Sequence, residues 1–301
     1  MHNGFVRGKQ RWLCPSCGKT FGLPGMAIKR DRQKIWFERW VYEGYSMRQL
    51  VNQSGYCRST IQRIISYWLS HPPSSVRDLK AFKYLLVDGS YLLARKTAVV
   101  GIADPVAKCL VEGKYGIKEG ERRMYDWCAA LREEGLIPKS ITIDGLRQVQ
   151  SLLEAVWPGV TIQRCLVHIQ RQGLAWCRRD PHKAAVKHLR KLFESVTHIN
   201  TIEERDQFIA RWQEWEECFG QPIASHPGRG KVFSDVKRAR SLLHYALPNM
   251  FHYLDDPQIP NNTNWLEGYF SRLKSRYRQH RGLSRENRIN YFVWYFYLCI
   301  K

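Results

Sequence analysis

Residues 83–168 contain short apolar runs and amphipathic segments in an order that few folds can accommodate. Three strand-like runs come first, over 83–89, 97–104 and 108–112. An amphipathic segment, a strand-like run at 141–144, a second amphipathic segment and a final strand-like run follow them. Three consecutive strands followed by alternating helices and strands predict an α/β fold, with a mixed sheet covered by helices.

Two of these runs end in the same dipeptide, Asp-Gly. Asp88 ends the first run and Asp144 ends the fourth, so the sequence predicts both at strand ends. The order of elements fits the ribonuclease H-like fold, in which carboxylates at the ends of adjacent strands converge with one on a later helix. Each aspartate could instead simply begin a turn, because Asp is a common turn residue.

A third acid stands at the start of a C-terminal helical pattern that then becomes strongly basic. Glu267 follows Asn264 by three residues, so one interpretation is that it completes a capping box. Taken together, Asp88, Asp144 and Glu267 are a ligand set for two divalent metals, Mg²⁺ or Mn²⁺. Such a metal pair activates an attacking oxygen and stabilises the leaving one in phosphodiester chemistry. We therefore predict that these three acids are catalytic and bind the metals.

The long stretch before Glu267 has helical patterns throughout. Thr201 and Glu204 predict a capping box at the start of one helix, and Trp212 and Trp215 favour an apolar core over a base-stacking surface. Because so long a connection is unusual within a sheet domain, we predict a helical insertion. The predicted segments are 81–168 for the first part of the catalytic core, 169–260 for the insertion, and 261–301 for the last core helix with the C-terminus.

The charge of the chain indicates a polyanionic partner. Lys and Arg number 48 against 27 Asp and Glu, which gives a formal net charge of +21. This excess is typical of nucleic-acid-binding proteins, although basic proteins without such partners exist. No apolar stretch is long enough to span a bilayer, the nine cysteines are scattered, and no apolar signal core is present. We therefore expect a reduced, cytoplasmic protein without a membrane partner.

Residues 1–25 contain one Cys-x2-Cys pair, Cys14 and Cys17, followed by Gly and Lys. A tight turn of this kind lets two thiolates occupy one edge of a tetrahedral Zn²⁺ site. A complete site needs four ligands, and no second pair lies nearby. The segment is interpreted as a partial zinc knuckle, with a metal-free turn as the equal alternative.

Residues 31–70 have the pattern of a helix-turn-helix DNA-binding domain. The first helix carries Ile35 and Trp40 at helical spacing, and Ser46 with Gln49 predicts a capping box for the second. The third helix, over 58–68, places its isoleucines inward, and an ordinary three-helix bundle is the alternative. Its outward residues are of types that contact phosphates and base edges, namely Arg58, Ser59, Gln62 and Arg63. Residues 71–80 are predicted to be a linker.

Three stretches resemble Mutator-like transposases of bacterial insertion sequences. The segment 156–168 is similar to the block after the second aspartate in that family, and it contains the Cys-x2-His pair Cys165 and His168. The second stretch is Thr263-Asn264-x-x-Glu267, which stands before a basic helix. The third is the Arg-Gly-Leu-Ser stretch at 281–284. The resemblance covers most of the chain, although relatives with such a knuckle usually have another cysteine pair before it, and none precedes it here.

The resemblance implies that Asp88, Asp144 and Glu267 are the catalytic triad, and that Cys165 and His168 lie close to the active site. It implies a DNA transposase that binds terminal inverted repeats, cleaves the element ends by metal-dependent hydrolysis, and joins the 3′-hydroxyl to target DNA. The helix over 58–68 would recognise the repeats. Basic residues after the last acid would contact phosphates, namely Lys274, Arg276, Arg278 and Arg281.

Joining paired ends needs at least two active sites, so a dimer or larger assembly on double-stranded DNA is expected, associated with a prokaryotic nucleoid. Two alternatives stay open. One is a non-enzymatic DNA-binding regulator derived from a transposase. The other is a structure-selective nuclease that cuts without joining.

Overall fold

The computed structural model of the chain describes residues 1–22, 26–73, 78–92, 97–179, 181–225, 231–280 and 282–299. Two compact units are present. Unit 1 comprises Met1–Pro73 and Ser275–Leu298, and unit 2 comprises the described residues of 74–274 with Cys299. The strands are β1 (His2–Val6), β2 (Lys9–Leu13), β3 (Thr20–Gly22), β4 (Tyr84–Leu92), β5 (Thr97–Asp104), β6 (Cys109–Tyr115), β7 (Ser140–Ile143) and β8 (Thr161–Arg164).

The α-helices alternate with the later strands and then follow one another without further strands in the described part of the chain. They are α1 (Met26–Glu38), α2 (Met47–Ser54), α3 (Arg58–Leu69), α4 (Arg122–Glu133), α5 (Arg147–Val156), α6 (Leu166–Cys177), α7 (Ala184–Ser195), α8 (Ile202–Trp215), α9 (Gln221–Ser225), α10 (Lys231–Ala246), α11 (His252–Asp255), α12 (Asn264–Tyr277) and α13 (Arg285–Leu298).

Unit 1 begins with an antiparallel sheet in the order β1-β2-β3 and continues into three helices. The predicted capping box of α2 is confirmed, because the Ser46 hydroxyl accepts from the Gln49 backbone and the Gln49 side chain accepts from the Ser46 backbone. The first-helix prediction was partly wrong: Ile35 is exposed, and Phe37 is the fully buried residue. Phe37 is favoured there because its ring packs against Trp40, Trp68 and Trp294.

The C-terminal helix α13 completes the core of unit 1. Its Trp294 indole donates to the Trp68 carbonyl over 2.7 Å, and its Tyr291 hydroxyl donates to the Val41 carbonyl over 3.1 Å. Buried rings that also satisfy their polar atoms favour one packing arrangement over its competitors. The segment 275–298 therefore supports the helices of residues 26–69.

His280 provides a pH test of this core. Its buried Nε2 donates to the Trp40 carbonyl over 2.9 Å, and burial lowers its pKa to about 4. An unfolded histidine titrates near pH 6.5. As pH falls from about 6.5 to about 4, the unfolded state binds the proton first, so stability is expected to decrease by about 3 kcal/mol. Urea unfolding across this range measures the loss, and His280→Gln should reduce it. The same pH dependence in both proteins would contradict the expectation.

Unit 2 contains a mixed five-stranded sheet, as the sequence predicts. Its strand order is β6-β5-β4-β7-β8. The three strands β4, β5 and β6 are antiparallel, whereas β7 and β8 run parallel to β4. Helices α4 and α5 provide Met124, Cys128, Val149 and Leu153 to a core with the inward residues of the sheet. This core holds the central strands in fixed register.

The prediction that Asp88 ends its strand was wrong. Strand β4 continues to Leu92, because Gly89 pairs with Val100 and Leu92 pairs with Thr97 on β5. The Asp-Gly dipeptide is therefore part of an antiparallel ladder rather than a turn. Asp144 does directly follow β7, which ends at Ile143.

The described residues between β8 and α12 include the helices α6 to α11, in agreement with the predicted helical region. They share one apolar core, in which Trp212 and Trp215 are both buried with their rings stacked 5.4 Å apart. The predicted capping box of Thr201 and Glu204 is present at the start of α8. Among the described residues, no helix combines the length and apolar character needed to cross a membrane.

Candidate active site

The two aspartates lie side by side because of the parallel pairing of β4 and β7. Tyr84 pairs with Ser140, and each aspartate stands four residues after its member of this pair. Strand β7 ends one residue before Asp144, whereas β4 continues through Asp88 beside β5. The sheet thus places one carboxylate within a strand and the other on the loop that leaves its neighbour.

A glycine on β5 lets α12 approach the sheet at the same level. Gly101 pairs with Asp88, and a Cβ atom there would lie 3.0 Å from Phe270 and 3.3 Å from Leu266 of α12. These two residues flank Glu267 in sequence. The helix therefore rests directly on the strand pair that carries Asp88.

The segment before α12 is tied to the sheet by hydrogen bonds. The Thr142 hydroxyl on β7 donates to the Pro260 carbonyl over 2.5 Å, and the Leu166 backbone donates to the Asn261 carbonyl over 2.9 Å. Thr263 follows and is fully buried. The position of Glu267 is thus fixed from two sides, by its helix and by the segment that precedes it.

His168 links Glu267 to a buried cysteine. It lies on the first turn of α6, and its Nε2 is 3.3 Å from the Glu267 carboxylate. Its Nδ1 is 3.2 Å from the Cys165 sulfur, and the Thr263 hydroxyl is 3.4 Å from the same nitrogen. The hydrogen bond with Cys165 is the largest cause that raises the pKa of His168, to about 9, against the opposing effect of burial. A protonated His168 therefore stabilises a charged Glu267.

Arg171 is a second cation on Glu267, with its guanidinium 3.4 Å from the carboxylate. It lies one turn after His168 on α6, so both contact the same acid. Of the pair that the family resemblance places near the active site, Cys165 is buried and His168 contacts the Glu267 carboxylate.

The surroundings of the Asp88 carboxyl disfavour its charged form. It is 7% exposed, and burial, followed by the charge of Asp144, raises its pKa to about 7. Glu267 adds to this effect, whereas His168 and the Gly89 backbone oppose it. A buried carboxyl surrounded by other carboxylates is typical of sites that act on or bind a charged group.

Glu119 is a fourth acid that the sequence analysis missed. It stands on the loop between β6 and α4, and burial, followed by the charges of Asp144 and Asp88, raises its pKa to about 8. Its carboxyl group packs against Gly89, where a Cβ atom would lie 2.6 Å from it. Nothing in the surrounding Lys-Glu-Gly sequence distinguishes it from an ordinary surface loop, because only tertiary contacts bring it to the aspartates.

The donor set suits hard divalent cations. Asp88, Asp144 and Glu267 offer only carboxylate oxygens, which are the ligands that Mg²⁺ and Mn²⁺ prefer. Asp144 and Glu267 each raise the pKa of Asp88, a repulsion that bound cations would offset. In the arrangement of the described residues, no three His, Cys, Asp or Glu side chains converge closely enough to hold one ion. The acids thus match hard divalent cations in ligand chemistry and charge, although they do not form a compact ligand cluster among the described residues.

Gly145 fixes the loop that carries Asp144. Its φ of +102° lies in the left-handed region, and a Cβ atom there would collide with the Arg164 guanidinium. Arg164, at the end of β8, also donates to the Asp144 carbonyl over 3.4 Å. The Asp144 side chain accepts a hydrogen bond from the Leu146 backbone N–H over 3.1 Å. Asp144 therefore stabilises a turn, which was the alternative role considered for it, and also lies beside Asp88.

The predicted DNA-contacting residues of α3 are all exposed, with Ile61, Ile64 and Ile65 buried on the opposite face. Arg276 differs, because it donates to the Tyr295 hydroxyl over 3.1 Å and covers the Tyr42 ring within unit 1. Arg278 is exposed and Lys274 is half-buried, whereas Arg281 lies outside the described residues. Arg276 therefore has a packing role in the fold.

Cys14 and Cys17 occupy the turn between β2 and β3. The Gly18 backbone donates to the Cys14 carbonyl over 3.0 Å, and Gly18 adopts a positive φ of 65°. Hydrogen bonds from Cys17 and Ser16 lower the pKa of the Cys14 thiol. The turn carries two of the four ligands that a closed zinc site needs.

Residues 75–221 match a family model described as "Transposase, Mutator family". This segment belongs to the Mutator transposase family. It contains Asp88, Glu119, Asp144, Cys165 and His168, and it stops before Glu267. The resemblance noted in the sequence is thereby confirmed for the Mutator-family segment.

Two curated relatives are similar to parts of this chain. One, "Transposase for insertion sequence element IS905" of Lactococcus lactis subsp. lactis (strain IL1403), is 22% identical over 147 residues, 46% of this chain and 38% of the relative. The other, "Probable transposase for insertion sequence element" of Corynebacterium diphtheriae, is 30% identical over 84 residues, 28% of this chain and 24% of the relative. The chain thus matches well under half the length of each relative.

Proposed function

We propose that this chain is the transposase of an insertion sequence. It would cleave the ends of its element by metal-dependent hydrolysis and join the 3′-hydroxyl to target DNA by transesterification. The observation that carries the proposal is the buried Asp88 carboxyl, which lies on the strand next to the one that Asp144 follows. The negative charges of Asp144 and Glu267 both raise the pKa of this carboxyl. Family membership of residues 75–221 supports the same conclusion.

Asp88, Asp144 and Glu267 would hold two divalent ions, Mg²⁺ or Mn²⁺. When bound, the metals supply an activated oxygen nucleophile and stabilisation of the leaving oxygen. His168 and Arg171 would orient the Glu267 carboxylate, because they contact it from one side and leave its other oxygen without an ion-pair partner among the described residues. Groups that orient a ligand in this way typically affect activity by about 10–100-fold.

Asp144→Asn tests the catalytic assignment. The variant is expected to keep its fold and its affinity for DNA but to lose cleavage by several orders of magnitude, because a metal ligand that stabilises transition-state charge is removed. Cleavage of duplexes carrying the element ends measures this. Asp126→Asn is a suitable control, since Asp126 is exposed and forms a salt bridge with the exposed Arg122. Cleavage at the wild-type rate by Asp144→Asn would remove Asp144 from the active site.

The helices α2 and α3 are proposed to form a helix-turn-helix that reads the terminal inverted repeats. Gln62 and Arg63 are exposed on the face of α3 opposite its buried isoleucines. Replacing both by Ala is expected to weaken binding to repeat DNA by about 1–3 kcal/mol per lost base contact, with a smaller effect on random DNA. Competition binding with the two DNAs measures the difference. An equal loss on both would mean that α3 contacts only phosphates.

The same assays distinguish the two alternative functions. A regulator without catalytic activity would bind repeat DNA and show no metal-dependent cleavage. A structure-selective nuclease would cut DNA but yield no joined products with target DNA. A transposase should yield joined products, and because two ends must be processed together, it is proposed to act as a dimer or larger assembly.

Whether Cys14 and Cys17 hold Zn²⁺ is a separate proposal that metal analysis of the purified chain would decide.

A further inference from the structure

A cavity of about 460 Å³ opens in unit 2 beside the loop that carries Asp144. Gly145 lines it directly after that aspartate, and α10 of the helical region forms its opposite wall. Its volume lies within the range of about 300–1,000 Å³ that is typical of small-ligand pockets. Its charged and aromatic lining residues are Arg147, Arg164, Trp176, Lys237, Arg238 and Tyr245.

The cavity is suited to an anion. Four of its lining side chains are cationic, and none of the described side chains that line it is acidic. Arg164 lines the cavity and is only 4% exposed. Because solvent screens a largely buried charge less than an exposed one, Arg164 attracts an anion in the cavity more strongly than an exposed arginine would.

The cavity also offers a surface for an aromatic group. Tyr245 is 55% exposed, and the Arg147 guanidinium lies 3.7 Å from the centroid of its ring. Trp176 and Leu242 add apolar surface to the wall. Proteins that bind single-stranded nucleic acids combine cationic side chains with exposed aromatic rings. The phosphates pair with the cations, and the bases stack on the rings.

We propose that this cavity binds one unpaired nucleotide of the DNA strand that approaches Asp144. Its phosphate would contact Arg147 and Arg164, and its base would stack on Tyr245. The inference rests on the proposed function, since it assumes that DNA reaches the aspartates. Unstacking a base costs a few kcal/mol, and a pocket of this kind offsets that cost next to the phosphodiester to be cut.

The test uses the full chain and a short single-stranded DNA oligonucleotide with 2-aminopurine at its centre. A matched oligonucleotide has an abasic site there. Wild type is expected to bind the first about tenfold more tightly and to quench its fluorescence, because a stacked base contributes about 1–3 kcal/mol. Tyr245→Ala should bind both oligonucleotides alike. Tyr245→Phe, which keeps the ring, should behave as wild type.

Charge variants test the phosphate contact. Arg147→Ala should reduce the slope of log affinity against log salt by about 0.7 for single-stranded DNA. Lys187→Ala, which removes an exposed charge from α7 outside the cavity, should leave base discrimination unchanged. Equal binding of the two oligonucleotides by wild type, or retained discrimination in Tyr245→Ala, would overturn the proposal. If Asp144→Asn still loses cleavage in that case, the proposed catalytic function survives and only the nucleotide pocket is refuted.

Discussion

Replacing Asp88 by Asn is expected to stabilise the metal-free protein at neutral pH and to abolish DNA cleavage. Burial, followed by the charge of Asp144, raises the pKa of Asp88 to about 7, whereas an unfolded aspartate titrates near 4. As pH rises from about 4 to about 7, the unfolded state releases its proton first, so the folded state loses stability on the order of 4 kcal/mol. Asn has the same shape without the charge, so it avoids this loss.

Chemical unfolding in EDTA between pH 5 and pH 8 measures this difference. The stability advantage of Asp88→Asn over wild type should grow with pH across this window, and Mg²⁺ should reduce it by stabilising wild type alone. Asp126→Asn serves as the control, because exposed pairs such as Asp126 with Arg122 contribute little to stability. If the free energies of unfolding of wild type and Asp88→Asn change equally with pH, then the folded protein does not disfavour the charged form of Asp88.

Replacing Gly145 by Ala is expected to reduce cleavage by about 100-fold, because displacing a catalytic group by about 1 Å can cost that much. The new methyl group would collide with the Arg164 guanidinium and displace the loop that carries Asp144. The positive φ adds a conformational penalty of about 1–2 kcal/mol. Cleavage rate and unfolding free energy measured together separate the two effects.

Gly159→Ala is the matched control. Gly159 also has a positive φ, of 83°, but apart from its chain neighbours no atom of the described residues lies within 4 Å of the position its Cβ would take. It should therefore show the conformational penalty without the loss of cleavage. If the two variants cleave equally well, then contact with Arg164 does not position Asp144.

The sequence predicts best those features of the fold that depend on residues close together in the chain. The capping boxes of Ser46 with Gln49 and Thr201 with Glu204 depend on residues three apart, so spacing alone identifies them. The order of strands and helices similarly predicts the mixed sheet. The end of β4 was predicted too early, because the sequence alone does not distinguish an Asp-Gly dipeptide in a turn from one inside a continuing strand.

Long-range contacts were the part that could not be predicted. Glu119 reaches Asp88 and Asp144 only through the folded loop after β6, and no local pattern marks it. The packing of α13 on Trp68 and Val41 joins segments more than two hundred residues apart. The contact of His168 with Glu267 joins residues about a hundred positions apart in the same way, although the family resemblance placed His168 near the active site.

The central claim is that metals held by Asp88, Asp144 and Glu267 contact the phosphodiester being cut. Cleavage of element-end DNA in which sulfur replaces one oxygen at the scissile phosphate tests this most directly. Because Mg²⁺ binds sulfur poorly and the softer Mn²⁺ binds it better, the substitution should suppress cleavage in Mg²⁺ and Mn²⁺ should restore it. Cleavage that proceeds in EDTA, or that responds to the sulfur identically in both metals, would contradict the claim.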